Sequence, residues 1–173
     1  MALTQEKKRQ AGKGASSGAC LHAAIASHRA GRLEEARELY LGVLSLWPEH
    51  PEALHYLGLL FHLHGESETA LDYICTAVEM SPDYPEAYNN LGVVLQEAGH
   101  HDGAMDCYQF AIYLDPGLAE AHYNLGVLLE ERGEPEMAAE CFVRASSLRM
   151  TPPVTWSYFP GRPGGVFCLP AVR

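Results

Sequence analysis

The sequence predicts an all-α fold, a right-handed superhelix of about four helix-turn-helix repeats, and three observations carry that expectation. The 34 residues Pro85–Leu118 recur as Ala119–Pro152 with 13 identities, among them Asn90/Asn124, Leu91/Leu125, Gly92/Gly126, Gly99/Gly133, Ala104/Ala138 and Cys107/Cys141. Within the block, Tyr88, Leu91 and Leu95 fall at i, i+3 and i+7, one face of a helix. Helix punctuation also recurs: Pro85 opens the first helix, Gly99 ends it, and Asp115-Pro116 stops the second. Self-similarity at a fixed period of 20–50 residues marks a solenoid, whose units bury their apolar faces on one another.

Taken in order, residues 1–16 are Lys-, Gln-, Gly- and Ser-rich without apolar periodicity and are expected to be a disordered leader. The first repeat, 17–50, keeps its second half (Gly31, Ala36, Tyr40, Val43, Pro48), but its first half is degenerate, with Cys20, Ala23, Ala24 and Ser27 in the packing slots. Terminal repeats are atypical because one face lacks a neighbour. The second, 51–84, carries Leu54, Leu57, Gly58, Phe61, Gly65, Ala70, Ile74 and Ala77 at the expected offsets. In the third, 85–118, helices are expected over 85–98 and 102–114, crossing at Gly92, Ala104 and Ala111. The fourth, 119–150, lacks the closing Asp-Pro. The 151–173 tail is Pro- and Gly-dense without helical period, and is expected to be disordered.

This pattern of Leu-Gly, large apolar, Gly, Ala, aromatic, Ala and Pro resembles the tetratricopeptide repeat family over residues 17–150. PEAYNNLGVVLQEAG and AEAHYNLGVLLEERG are similar to the repeat arm of O-linked N-acetylglucosamine transferases, which carries an asparagine before Leu-Gly, as Asn90 and Asn124 stand here. The corresponding slots in the first two repeats hold His22 and Tyr56, so that ladder is half present. The resemblance implies a concave face that binds protein. Chaperone-binding members clamp a carboxylate with Lys and Arg on this face, whereas here Arg29 alone is basic in such a slot.

Charge narrows the partners. From Glu38 to Glu131 there are 16 Asp or Glu and no Lys or Arg, so neither nucleic acid nor an anionic membrane surface finds its cations there. No secretory signal or membrane span is recognisable, and the five cysteines have no CxxC spacing. Reduced thiols in a cytoplasmic protein are expected.

No catalytic residues, cofactor or metal site are predicted. There is no GxSxG, HExxH, P-loop or GxGxxG before a helix. His22, His28, His55 and His62 fall on inward-facing positions, and His55 and His62, seven apart, lie about 10.5 Å apart along a helix. They are expected to be solvent-facing and to titrate near their ordinary pKa. Cys107 and Cys141, one helix diameter apart, are too distant to bridge and are expected to be half-buried apolar groups.

The predicted peptide groove comprises Glu52, His55, Tyr56, Leu59 and His62 from the second repeat. The third adds Glu86, Asn89, Asn90, Val93, Gln96 and Glu97, and the fourth Glu120, Tyr123, Asn124, Val127, Glu130 and Glu131. Its acidic, amide-rich surface and its stripe of Leu59, Val93 and Val127 suit an extended or helical peptide that is basic or neutral. The expected function is a non-catalytic interaction scaffold. Asn90 and Asn124 either grip the peptide backbone or bond neighbouring helices; on the first alternative, replacing both by Ala spares the melting temperature. Two other functions are carried forward: the recognition arm of a larger transferase, and a self-assembling solenoid. In the latter an uncapped fourth repeat would bury Leu125, Leu129 and Phe142 against a second copy.

Overall fold

In a computed structural model, the described residues are 18–149 together with two short strands beyond them. Eight helices are described: α1 (18–29), α2 (Leu33–Leu46), α3 (Pro51–Leu63), α4 (Ser67–Met80), α5 (Pro85–Glu97), α6 (His101–Leu114), α7 (Ala119–Glu131) and α8 (Pro135–Arg149). The predicted leader and most of the predicted tail lie outside the described residues. Within the tail, β1 (Trp156–Ser157) and β2 (Phe167–Cys168) pair antiparallel, Trp156 opposite Cys168.

The helix ends follow from local chemistry and fall one residue from expectation in the third repeat. Gly99 adopts φ 83°, and Gly31, Gly65 and Gly133, at 34-residue intervals, do the same at 74°, 85° and 77°. The Gly99 amide donates to the Gln96 carbonyl at 3.0 Å and the His100 amide to the Leu95 carbonyl at 2.8 Å. This is the paired closure that satisfies the last carbonyls and needs a left-handed residue.

Helices pair within each repeat, α3 on α4, α5 on α6 and α7 on α8, and each second helix packs on the next repeat's first. At each crossing a glycine faces a bulky side chain. A Cβ on Gly58 would lie 2.6 Å from Ile74 Cγ1, on Gly92 2.6 Å from Tyr108 Cε1, and on Gly126 2.7 Å from Phe142 Cε1. The core therefore runs unbroken from Leu21 through Tyr40, Leu57, Ile74, Val94 and Tyr108 to Leu128 and Ala138. In α1 the buried positions are Leu21, Ala24, Ile25, Ser27 and His28, whereas Ala23, expected to pack, is exposed.

The fourth repeat does not offer the bare face expected of it. Leu125 and Leu129 are buried, and Phe142 is half-buried over Gly126 with its ring 5.6 Å from that of Tyr123. These residues build the α7–α8 crossing instead of an end surface. The exposed large apolar side chains of α8 are Met137 and Val143.

Candidate functional site

The first helices of successive repeats touch one another, α5 meeting both α3 and α7, while the second helices meet one another marginally at most. The array therefore curves with α3, α5 and α7 on its inner side, and this concave face carries the predicted groove residues.

Along the first half of these helices runs a chain of polar side chains spanning three repeats. Asn124 Nδ2 donates to Asn89 Oδ1 at 2.9 Å, and Asn89 Nδ2 donates to Asn90 Oδ1 at 3.0 Å. Asn90 must then offer Nδ2, which lies 2.7 Å from His55 Nε2. That makes Nε2 the acceptor and places the ring proton on Nδ1, 2.9 Å from the Tyr84 hydroxyl, which in turn donates to Tyr56 at 3.4 Å. Every bond points the same way, and each supplies the acceptor that the next group needs. Asn89, Asn90, Asn124 and His55 are all fully buried.

The second half is linked through the carboxylates of Glu97 and Glu131. His62 Nε2 lies 3.2 Å from Glu97 Oε2, joining the second repeat to the third. Gln96 donates to Glu131 at 2.8 Å, joining the third to the fourth, and accepts from the Tyr108 hydroxyl at 2.8 Å. Between these levels, Leu59 and Val93 are buried and Val127 half-buried. Glu52, Glu130 and Glu131 are exposed, Glu86, Gln96 and Tyr123 half-buried, and Glu120 buried.

The histidines differ from expectation. His55 and His28 are buried, not solvent-facing, and His62 is buried as well; only His22 is exposed. Burial, reinforced by the neighbouring His28, pulls the His55 pKa down to about 3. Burial and then the Arg29 charge pull His28 to about 4. A protonated His55 would also present an N–H to the Asn90 amide, donor against donor. Both rings are therefore neutral at physiological pH. Burial, the largest cause, likewise raises the Glu86 carboxyl and the Tyr56 hydroxyl.

The thiols behave as expected of apolar groups. Cys20, Cys75, Cys107 and Cys141 are free and half-buried. Burial raises Cys75 and Cys141 and pushes Cys107 up to about 12, so these three are not thiolates at neutral pH. Among the described residues, no three His, Cys, Asp or Glu side chains cluster as metal ligands would, and no helix is long and apolar enough to cross a membrane.

Three participants escaped sequence reasoning. Tyr84 precedes the helix-opening proline, a slot held by His50 and Leu118 in adjacent repeats, so periodicity does not single it out. Tyr108 reads as a core aromatic, yet its hydroxyl reaches Gln96. Tyr40 stacks on Tyr56 with centroids 5.9 Å apart, and His28 sits edge-on to both.

Family models described as "Tetratricopeptide repeat" match residues 21–85, 85–118 and 119–151. No curated protein matches the sequence. Among solved structures, a crystal structure of MamA is similar at 25% identity and a TM-score of 0.67, covering 83% of this chain and 84% of that one. MamA 41-end from Desulfovibrio magneticus RS-1 is similar at 24% identity and a TM-score of 0.66, covering 78% of this chain and 76% of that one. Pseudomonas aeruginosa pilF is similar at 21% identity and a TM-score of 0.75, covering 82% and 64%. The last two likenesses speak to the fold alone.

Proposed function

Residues 21–151 belong to the tetratricopeptide repeat family, and from that premise we propose that the chain is a non-catalytic interaction scaffold whose concave face holds a basic or neutral peptide. One observation carries the reading. Glutamates occupy the inner helices of three consecutive repeats, and no Lys or Arg occurs between Glu38 and Glu131 to neutralise them. Carboxylates on a concave face focus a negative potential, which steers a cationic segment and rejects an acidic one. Half-buried Val127 and Tyr123 supply apolar area, and the glutamates supply orientation.

The test replaces Glu86, Glu97 and Glu130 by Gln and titrates an arginine-rich peptide by calorimetry. We expect at least about tenfold weaker binding (about 1.4 kcal/mol) and a shallower salt dependence, with the melting temperature held. Equal affinity in both proteins would reduce the acidic field to a solvated surface.

A second reading, the recognition arm of an O-linked N-acetylglucosamine transferase-like enzyme, is favoured by Asn90 and Asn124 standing one period apart on the inner face. It shares the groove and differs only in requiring a catalytic domain in the same protein.

A further inference from the structure

We propose that the concave groove has a resident occupant, the chain's own C-terminal segment, seated in cis on α5 through β2. The contact is direct: β2 packs against α5 and pairs with β1, so Phe167–Cys168 lies on the central inner helix of the array. The other sides of α5 are taken by α3, α4, α6 and α7, which leaves only its concave side to receive a strand.

Charge and reach agree with the placement. After Glu140 the chain has no Asp or Glu, and residues 151–173 carry Arg162 and Arg173. The segment is therefore acid-free and net-positive, as suits a face rich in glutamate. Six residues separate the end of α8 from β1, enough to span roughly 20 Å when extended. Neighbouring inner helices lie about 10 Å apart, so the segment reaches α5 from α8 without unfolding either.

This inference rests on the groove reading above and deepens it. A tethered occupant at an effective concentration of about 1 mM competes with every partner, which then sees only the open fraction. The segment also states what a displacing partner must resemble: a segment without acidic residues, broken by Pro and Gly, with aromatic and arginine side chains. The groove is thus autoinhibited until such a partner, or a change in the segment itself, vacates it.

The test uses the full chain with its cysteines replaced by Ala and a nitroxide on Ala171→Cys. Amide signals of α5, from Asn89 to Gln96, should broaden in a uniformly labelled sample. They should recover when nitroxide-bearing chains without isotope are mixed with isotope-labelled chains lacking nitroxide. Absence of broadening, or broadening in the mixed sample as a segment exchanged between copies would give, overturns the proposal. A Phe167→Asp substitution, which adds negative charge to the segment, should abolish the broadening. It should also raise the affinity for a synthetic 151–173 peptide by about tenfold. If the broadening appears but neither protein binds that peptide or the arginine-rich one, the cis contact stands and the scaffold function fails.

Discussion

The crossing within each repeat and the polar seam between repeats are built on opposite rules. At the crossing one arrangement is stamped out three times: Gly58, Gly92 and Gly126 each face a bulky group one helix away, Ile74, Tyr108 and Phe142. The seam never repeats itself. The slot before the Asn90 position holds His55, then Asn89, then Tyr123, and each makes a different contact. Steric fit tolerates any large apolar partner over a glycine, so it survives duplication. A directional hydrogen-bond chain needs each donor to meet its own acceptor, so neighbouring copies must diverge to form it.

The sharpest way to break the first rule is Gly92→Leu. A Cβ there already meets the Tyr108 ring at 2.6 Å, and the remaining carbons have nowhere to go. We expect a loss of about 3 kcal/mol or more, read by urea unfolding. Val93→Leu adds one methylene at a buried position next door and should cost distinctly less. Equal losses would mean that the crossing is not held by the glycine.

Breaking the second rule means cutting the seam. Asn90→Ala with Asn124→Ala leaves groups of Asn89 and His55 without these bonds inside the core, and orphaned buried groups cost about 1–3 kcal/mol each. A combined loss of about 2–3 kcal/mol is expected, in place of the unchanged melt that a purely peptide-gripping role requires. An unchanged melting temperature would return these amides to the groove alone.

This contrast also explains what the sequence could tell. Repeat boundaries, helix pairs, left-handed glycines and crossing residues are legible because each is a local or periodic requirement, visible by overlaying one block on the next. The inner-helix positions could be named for the same reason, as a 34-residue offset maps one first helix onto another. Their burial could not. Whether His55 faces water depends on Tyr84, 29 residues away, and on Asn90, 35 away. Neither partner follows from the period. The seat of Phe167–Cys168 on α5 lies beyond sequence reading for a stronger reason, since nothing in the last repeat repeats in the tail.

Acid should sharpen the comparison by acting on the seam and sparing the crossings. His55 and His28 have folded pKa values below the unfolded value, so the unfolded chain binds their protons first. Their neutral burial costs nothing well above pH 6.5 and destabilises the fold progressively as pH drops toward about 3 and about 4. At pH 5.5 the loss amounts to about 1.4 kcal/mol for each ring. Glu86 works the other way: its raised pKa favours the fold in acid and that contribution fades as pH rises through the carboxylate range. Between pH 7.5 and 5.5 the histidines therefore dominate. His55→Gln keeps an acceptor for Asn90 and a donor for Tyr84 but cannot titrate, so it should remove about half of the decline. A variant with the full acid response would shift the cause away from this ring.

The smallest effect is expected outside the groove, where Arg132 reaches Asp102 at 2.6 Å. This pair also bridges two repeats, from the end of α7 to the start of α6, and by distance alone it looks as firm as the Asn124–Asn89 bond. Water decides otherwise. The Asp102 side chain is 92% exposed, so solvent and salt replace whatever the ion pair loses. Asp102→Asn should leave the melting temperature within experimental scatter at physiological salt. A loss comparable to that of the asparagine double variant would show that repeat stacking relies on surface charge, and would reverse the ranking of seam over surface argued from burial.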